Sequence, residues 1–170
     1  GERDFQLPEL KLLMDAVQSS RFITQRKSDT LIRKLESLAS RHQASQLQRQ
    51  VYVSGRIKTM NESIYYNVDK LHQAISSAKV ITFKYFDYNI KKEKEFRQEG
   101  RRYTVTPFGL IWNNENYYLA AFDHNSGQLR HYRVDKMQDL EITDLLREGQ
   151  PADFDPAAYA GSLFGMFNGQ

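Results

Sequence analysis

The stretch that decides the fold runs from Phe108 to Met137 and reads FGLIWNNENYYLAAFDHNSGQLRHYRVDKM. Two apolar or aromatic runs, residues 110–112 and 117–122, are separated by Asn113, Asn114, Glu115 and Asn116, the pattern of a short hairpin loop. Asn125, Ser126 and Gly127 mark a second reversal, where glycine supplies the positive φ of a tight turn, and extended structure resumes over 128–134. The stretch is read as a three-strand meander. Period-two alternation sets Tyr118, Ala120 and Phe122 against Tyr117, Leu119 and Ala121, and sets Arg130, Tyr132 and Val134 against Leu129, His131 and Arg133. Neither strand has a wholly polar side. Both faces are therefore expected to meet protein, a ligand or a partner, as in a small curled barrel with a second layer against it.

Outward from the meander, the 170 residues suit one ordinary domain or two small ones, and 40% hydrophobic content allows a packed core. The absence of cysteine excludes disulfides and thiolate metal sites, and His42, His72, His124 and His131 are scattered, so no metal site and no cofactor is expected. No signal-peptide pattern and no bilayer-length apolar run occurs, which makes a cytoplasmic location the expectation, without a membrane partner. A net charge of +3 permits a polyanionic partner without demanding one. The start at Gly1, without an initiator methionine, suggests a piece of a longer chain.

Taken in order, Pro8 followed by Leu10, Leu13, Met14 and Val17 predicts a helix over 8–19. Leu31, Ile32, Leu35 and Leu38 predict a second over 28–39, with Ser28 or Thr24 as N-cap, and the two are expected to pair as a hairpin. The glutamine-rich run 41–50 reads as a weaker helix or a connector. After the short apolar run 51–53, Ile64, Val68, Leu71 and Ile75 mark a strong helix ending near residue 78. It leads into a strand over 80–88, a charged tip over 89–100, an alternating strand over 101–107 and, past the meander, a last short strand over 140–143. A helix followed by five strands commonly closes into an SH3-like or oligonucleotide-binding-type barrel. The tail 154–167 is rich in Phe, Ala, Tyr and Gly, with Asp155 as N-cap before Pro156, and is expected to dock rather than hang free.

No nucleophile and base pair, metalloprotease motif or glycine-rich phosphate loop is present, so the chain is not expected to be an enzyme. Arg130 and Arg133 are expected to need an anion, either a ligand or an internal carboxylate such as Asp135, Asp123 or Glu141. His131 between them is either a phosphate contact or an ordinary half-exposed packing residue. Lys84, Arg101 and Arg102 add positive charge, and Tyr85, Tyr103, Tyr117, Tyr118 and Tyr132 add aromatic planes. Cations interleaved with aromatics on a small barrel suit single-stranded nucleic acid or a nucleotide, the plain alternative being tyrosines as barrel filler.

Ile81-Thr-Phe-Lys-Tyr85, Val105-Thr-Pro-Phe108, Asn116-Tyr-Tyr-Leu119 and Arg130-His-Tyr-Arg-Val-Asp-Lys136 resemble, in order and spacing, the pattern of the WYL domain, closely over about residues 63–143. The opening helices look like the linker helices that precede this domain in bacterial transcriptional regulators. The resemblance implies an α+β chain, with a helical linker and dimerisation region over 1–60, an Sm-like or SH3-like five-stranded β-barrel with its preceding helix over 61–147, and a short helical tail over 148–170 leading to a missing extension. It further implies an effector-sensing module of a homodimeric regulator that reads duplex DNA through an N-terminal domain absent from this chain. Tyr117 stands where the family's signature has tryptophan. Lys136 replaces the usual final arginine and loses its two-pronged hold on an anion. Together the residues and the resemblance nominate Tyr85, Arg102, Tyr118, Arg130, His131 and Arg133 as contacts to an anionic ligand such as single-stranded nucleic acid or a nucleotide. The alternative is a structural dimerisation or protein-interaction module with no small effector.

Overall fold

A computed structural model describes residues 4–44, 46–47, 58–147, 155 and 157–162. The chain forms two compact units, Gly1–Glu62 and Ser63–Gln170.

In the first unit α1 (Leu7–Ser19) packs on α2 (Gln25–Glu36), followed by the short α3 (Arg41–Ala44). The start of α1 is fixed by a capping box, in which the Gln6 backbone N–H donates to Glu9 Oε1 at 2.7 Å, and by Pro8 in the first turn. Leu10 and Met14 are its buried residues. Thr24 is the N-cap of α2, accepting from the Lys27 N–H at 3.1 Å, so the helix begins before residue 28 and Ser28 is buried within it. The second helix ends at Glu36, short of residue 39, and Leu38 is left exposed.

Lys58 ties this hairpin together. Its ammonium donates to the carbonyls of Val17 (3.1 Å), Ser20 (2.8 Å) and Ile23 (3.3 Å) and to Ser28 Oγ (2.9 Å). No basic residue occupies the last turn of α1, so Lys58 supplies the positive charge that the helix's carbonyl end favours. Burial draws its pKa below the ordinary lysine value, with Asp29 opposing the shift. Of the connector expected over 41–50, residues 45 and 48–50 lie outside the described residues, as does the run 51–53.

The second unit opens with α4 (Ile64–Ser76), which buries Ile64, Asn67, Leu71 and Ala74 on the side the apolar spacing marks. Six strands follow: β1 (Lys79–Tyr88), β2 (Lys94–Phe96), β3 (Tyr103–Asn113), β4 (Asn116–Asp123), β5 (Gln128–Arg133) and β6 (Met137–Leu146). The sheet is antiparallel in the order β2-β1-β3-β4-β5, with β6 on β1. It curls into a half-barrel, and the α+β class expected of the sequence holds. The core gathers Ile81, Phe83 and Tyr85 of β1, Leu119 and Ala121 of β4, Tyr132 of β5 and Leu71 of α4. Asn67 Nδ2 donates to Met137 O (3.3 Å) and Lys70 Nζ to Leu140 O (3.0 Å), pinning α4 along β6.

Some boundaries differ for local reasons. The strand expected over 101–107 begins at Tyr103 and continues through 110–112 as one strand, β3, because a bulge between Pro107 and Gly109 carries the ladder past the proline. Strand β6 is longer than 140–143, its pairing with β1 crossing register shifts, and Asp139 there takes φ 53°. The charged tip contains β2 and then Gln98, Glu99 and Gly100 at φ 57°, 57° and 81°, a left-handed run that only its glycine announces in sequence. The β3–β4 hairpin turns on Asn114 (φ 51°) and Glu115 (φ 62°), and the next reversal on Gly127 (φ 71°), both where expected. Leu129, Arg130 and His131 are exposed rather than covered on both faces, because β5 pairs only with β4 among the described residues. Asp155 Oδ1 accepts the Ala157 N–H (3.0 Å) ahead of a helical turn over 157–162, as an N-cap does. The rest of the 154–167 run lies outside the described residues.

Candidate functional site: a cleft of tyrosines and arginines

A cleft of about 810 Å³ opens along β5. Its aromatic floor follows from alternation: Phe83 and Tyr85 share the inner face of β1, Tyr103 lies across from Phe83 in register on β3, and Tyr132 faces Leu119 on β4. The rings interlock, with Phe83 stacked on Tyr103 (centroids 5.4 Å, 20°) and Tyr132 edge-on to Phe83 (5.3 Å), Tyr85 (5.6 Å) and Tyr103 (5.9 Å). The Tyr85 hydroxyl accepts the Arg133 backbone N–H at 2.8 Å. Burial pushes the Tyr85 phenol up to about 12 and raises Tyr132 too, so both are neutral at physiological pH.

That shift has a measurable consequence. A phenol near 10 in the unfolded chain loses its proton before the buried one does, so stability is full below pH 10 and falls as pH rises through 12. Urea midpoints followed by the fluorescence of Trp112, the single tryptophan, are expected to decline over that window; a flat profile would contradict the buried-phenol geometry.

The structure separates the nominated cations. Arg130 is exposed and lines the cleft; among the described residues its side chain makes one hydrogen bond, to Ser126 Oγ at 3.4 Å, and no carboxylate lies within ion-pair distance of it. Arg133 is half-buried and committed: Nε and an Nη donate to the two oxygens of Asp135 at 3.0 and 2.8 Å, and Asn116 Oδ1 accepts at 3.4 Å. Arg102 is not brought to this cleft. Its guanidinium binds Thr82 Oγ1 (3.1 Å), Thr82 O (3.2 Å) and Asp139 O, with Glu141 at 3.8 Å, and so braces the irregular β1–β6 pairing beside an adjoining cavity of about 400 Å³. Tyr118 and His131 line the cleft 6.1 Å apart between centroids, and partial burial lowers the His131 pKa.

Lys136 is held by Asp87 at 2.6 Å, which leaves it a structural pair rather than a second arginine-like fork. The same carboxylate takes Arg97 Nε at 2.9 Å, and both contacts hold the Asp87 carboxyl below its ordinary pKa. Arg97 then lies over the Tyr85 ring, 5.3 Å from its centroid, and lines the cleft. Sequence reasoning passed over Arg97 because it belongs to the charged tip, and the left-handed run that follows it leaves no pattern in ordinary residues. Tyr159, from the helical turn over 157–162, also reaches the cleft, and Arg130 acts on its phenol electrostatically. Among the described residues no cluster of His, Asp or Glu could hold a metal ion, and no helix is long and apolar enough to cross a membrane.

No curated protein matches the chain. Among solved structures, proteasome accessory factor B/C (PafBC) of Arthrobacter aurescens matches 85% of this chain at 16% identity with a TM-score of 0.43, and the matched region spans 22% of that protein's length. The WYL domain family model matches residues 66–142, from α4 through β6, the stretch that carries the aromatic floor and the three cleft arginines, Arg97, Arg130 and Arg133. This segment is a WYL domain.

Proposed function

We propose that the chain is the effector-sensing part of a bacterial DNA-binding transcriptional regulator and that the cleft along β5 receives an anionic ligand, single-stranded nucleic acid or a nucleotide. The observation that carries this reading is Arg130, an exposed guanidinium without a carboxylate partner among the described residues, at the rim of a tyrosine-floored cleft. Phosphate neutralisation and base stacking need those two groups together. The protein acts by binding, not by catalysis, in the cytoplasm and as a homodimer. Occupancy biases the linker helices, and through them a duplex-reading domain elsewhere in the protein, by differential affinity for two arrangements.

Arg130→Ala is expected to weaken binding of a labelled oligothymidylate about tenfold and to lower the salt slope by about one phosphate contact. Unchanged affinity for single-stranded oligonucleotides and nucleotides would refute the site. The alternative, a dimerisation or interaction module without an effector, is favoured by one observation, the internal Arg133–Asp135 pair. It expects Arg133→Ala to destabilise the unliganded fold and no nucleotide or oligonucleotide to raise the melting temperature.

A further inference from the structure

One wall of the cleft carries two groups that an anion alone does not explain. Tyr132 is 4% exposed, and its hydroxyl has no hydrogen-bond partner among the described residues. Buried phenols ordinarily find one. The neighbouring Tyr85 hydroxyl already accepts from the Arg133 N–H. Asp123 is 8% exposed, and Oδ1 accepts the Asn125 N–H at 3.1 Å. No cation among the described residues pairs with this carboxylate, which keeps most of its acceptor capacity.

Register places Asp123, Arg130 and Tyr132 on one face of the β4–β5 ladder, since Asp123 pairs with Gln128, Ala121 with Arg130 and Leu119 with Tyr132. All three residues line the cleft. A carboxylate repels phosphate. What reaches Asp123 is therefore a neutral group with N–H donors, while the phosphate stays at the arginine rim.

We propose that the cleft reads a guanine base, Asp123 accepting its ring N–H and exocyclic amine while Tyr132 donates to its carbonyl. This rests on the nucleic-acid reading above and names its base. Guanine is the base whose pairing edge offers two adjacent N–H donors, which both oxygens of one carboxylate can accept, beside a carbonyl acceptor. Adenine and cytosine offer a carboxylate one such donor group, and uracil and thymine a single ring N–H. The tyrosine rings supply flanking aromatic surface, as sites that take up an unstacked base do. The hydroxyl lies beneath the wall's surface. Reaching it requires a flexible neighbour to move, and Arg130, next on the same face, is exposed and tethered by its one long hydrogen bond.

The test uses the intact chain and thymidylate five-mers whose central base is guanine, hypoxanthine or adenine, titrated by fluorescence anisotropy at fixed salt. Guanine is expected to bind at least about tenfold more tightly than adenine, with hypoxanthine, which lacks the amine, between them. Asp123→Asn keeps an acceptor for the Asn125 N–H and is expected to abolish the guanine preference. Tyr132→Phe is expected to weaken the guanine five-mer about fivefold or more while leaving the unliganded melting temperature equal or higher, because it deletes an unpartnered buried hydroxyl. Equal affinity for guanine and adenine, or an unchanged guanine affinity in Tyr132→Phe, overturns the base assignment. A lower melting temperature in Tyr132→Phe also overturns it, by showing the hydroxyl already partnered. If all five-mers bind alike and Arg130→Ala weakens them all, only the base assignment falls; if none binds, the nucleic-acid reading falls with it.

Discussion

Phe83→Ala is expected to cost the barrel unit about 3–5 kcal/mol, the usual range for deleting a buried phenyl ring. Phe83 is 0% exposed and touches three tyrosine rings at once, Tyr85 at 6.1 Å, Tyr103 at 5.4 Å and Tyr132 at 5.3 Å between centroids. Those rings are anchored by three different strands, so they cannot close over the hole without breaking ladder pairs. The urea midpoint read by Trp112 fluorescence is expected to fall accordingly, since Trp112 lies on β3 of this unit. A loss below about 1 kcal/mol would mean that the rings repack freely, and the cleft floor would then not be a fixed template.

Rigidity of this floor matters to the cleft because the ligand-facing atoms sit on its far edge. The Tyr85 hydroxyl holds the Arg133 backbone, and Arg133 holds Asp135, so one chain of contacts runs from the core to the rim. Arg130 stands outside that chain. The two arginines, three residues apart, have different work: one is structure, the other is available. Alternation already set them on opposite faces of β5, and the sequence offered Asp135, Asp123 or Glu141 as internal partners, of which Arg133 takes Asp135. Which arginine would take that partner depended on the turn over 134–136, and no side-chain pattern encodes its geometry.

Elements whose periodicity spans several residues were legible. The stripe Ile64, Val68, Leu71 and Ile75 gave α4, and the turn residues Asn114 and Gly127 gave both reversals of the meander. Contacts that join distant segments were not. Lys136 meets Asp87 across 49 positions, and Arg97 meets the Tyr85 ring from the far side of the charged tip, just ahead of two non-glycine residues at positive φ, which ordinary propensities disfavour. Arg102 was misplaced for a similar reason. It lies just ahead of β3, and the irregular backbone at Asp139, whose carbonyl accepts from its guanidinium, leaves no mark in sequence. Tyr132 was read as an aromatic plane, and only the packed structure shows its hydroxyl without a partner.

Lys58→Met is the corresponding expectation for the first unit, a loss of about 3 kcal/mol confined to the helical hairpin. Methionine keeps the apolar stem but removes the ammonium, leaving the carbonyls of Ser20 and Ile23 and the Ser28 hydroxyl without their shared donor in a half-buried setting. Hydrogen bonds to a charged group are worth about 1.5–3 kcal/mol, and the helix-end charge adds about 0.3–1. Lys58→Arg is expected to rescue little, because a planar fork cannot converge on acceptors grouped around one point as a compact ammonium does. The measurement is urea unfolding of the intact chain by two signals: ellipticity at the helical minimum, which both units contribute to, and Trp112 fluorescence, which belongs to the second unit alone. An early loss of part of the helical signal with an unmoved Trp112 transition is the expected result. An equal shift in both signals would show that Lys58 stabilises more than the hairpin it binds, and no shift in either would show that water replaces its four contacts without cost.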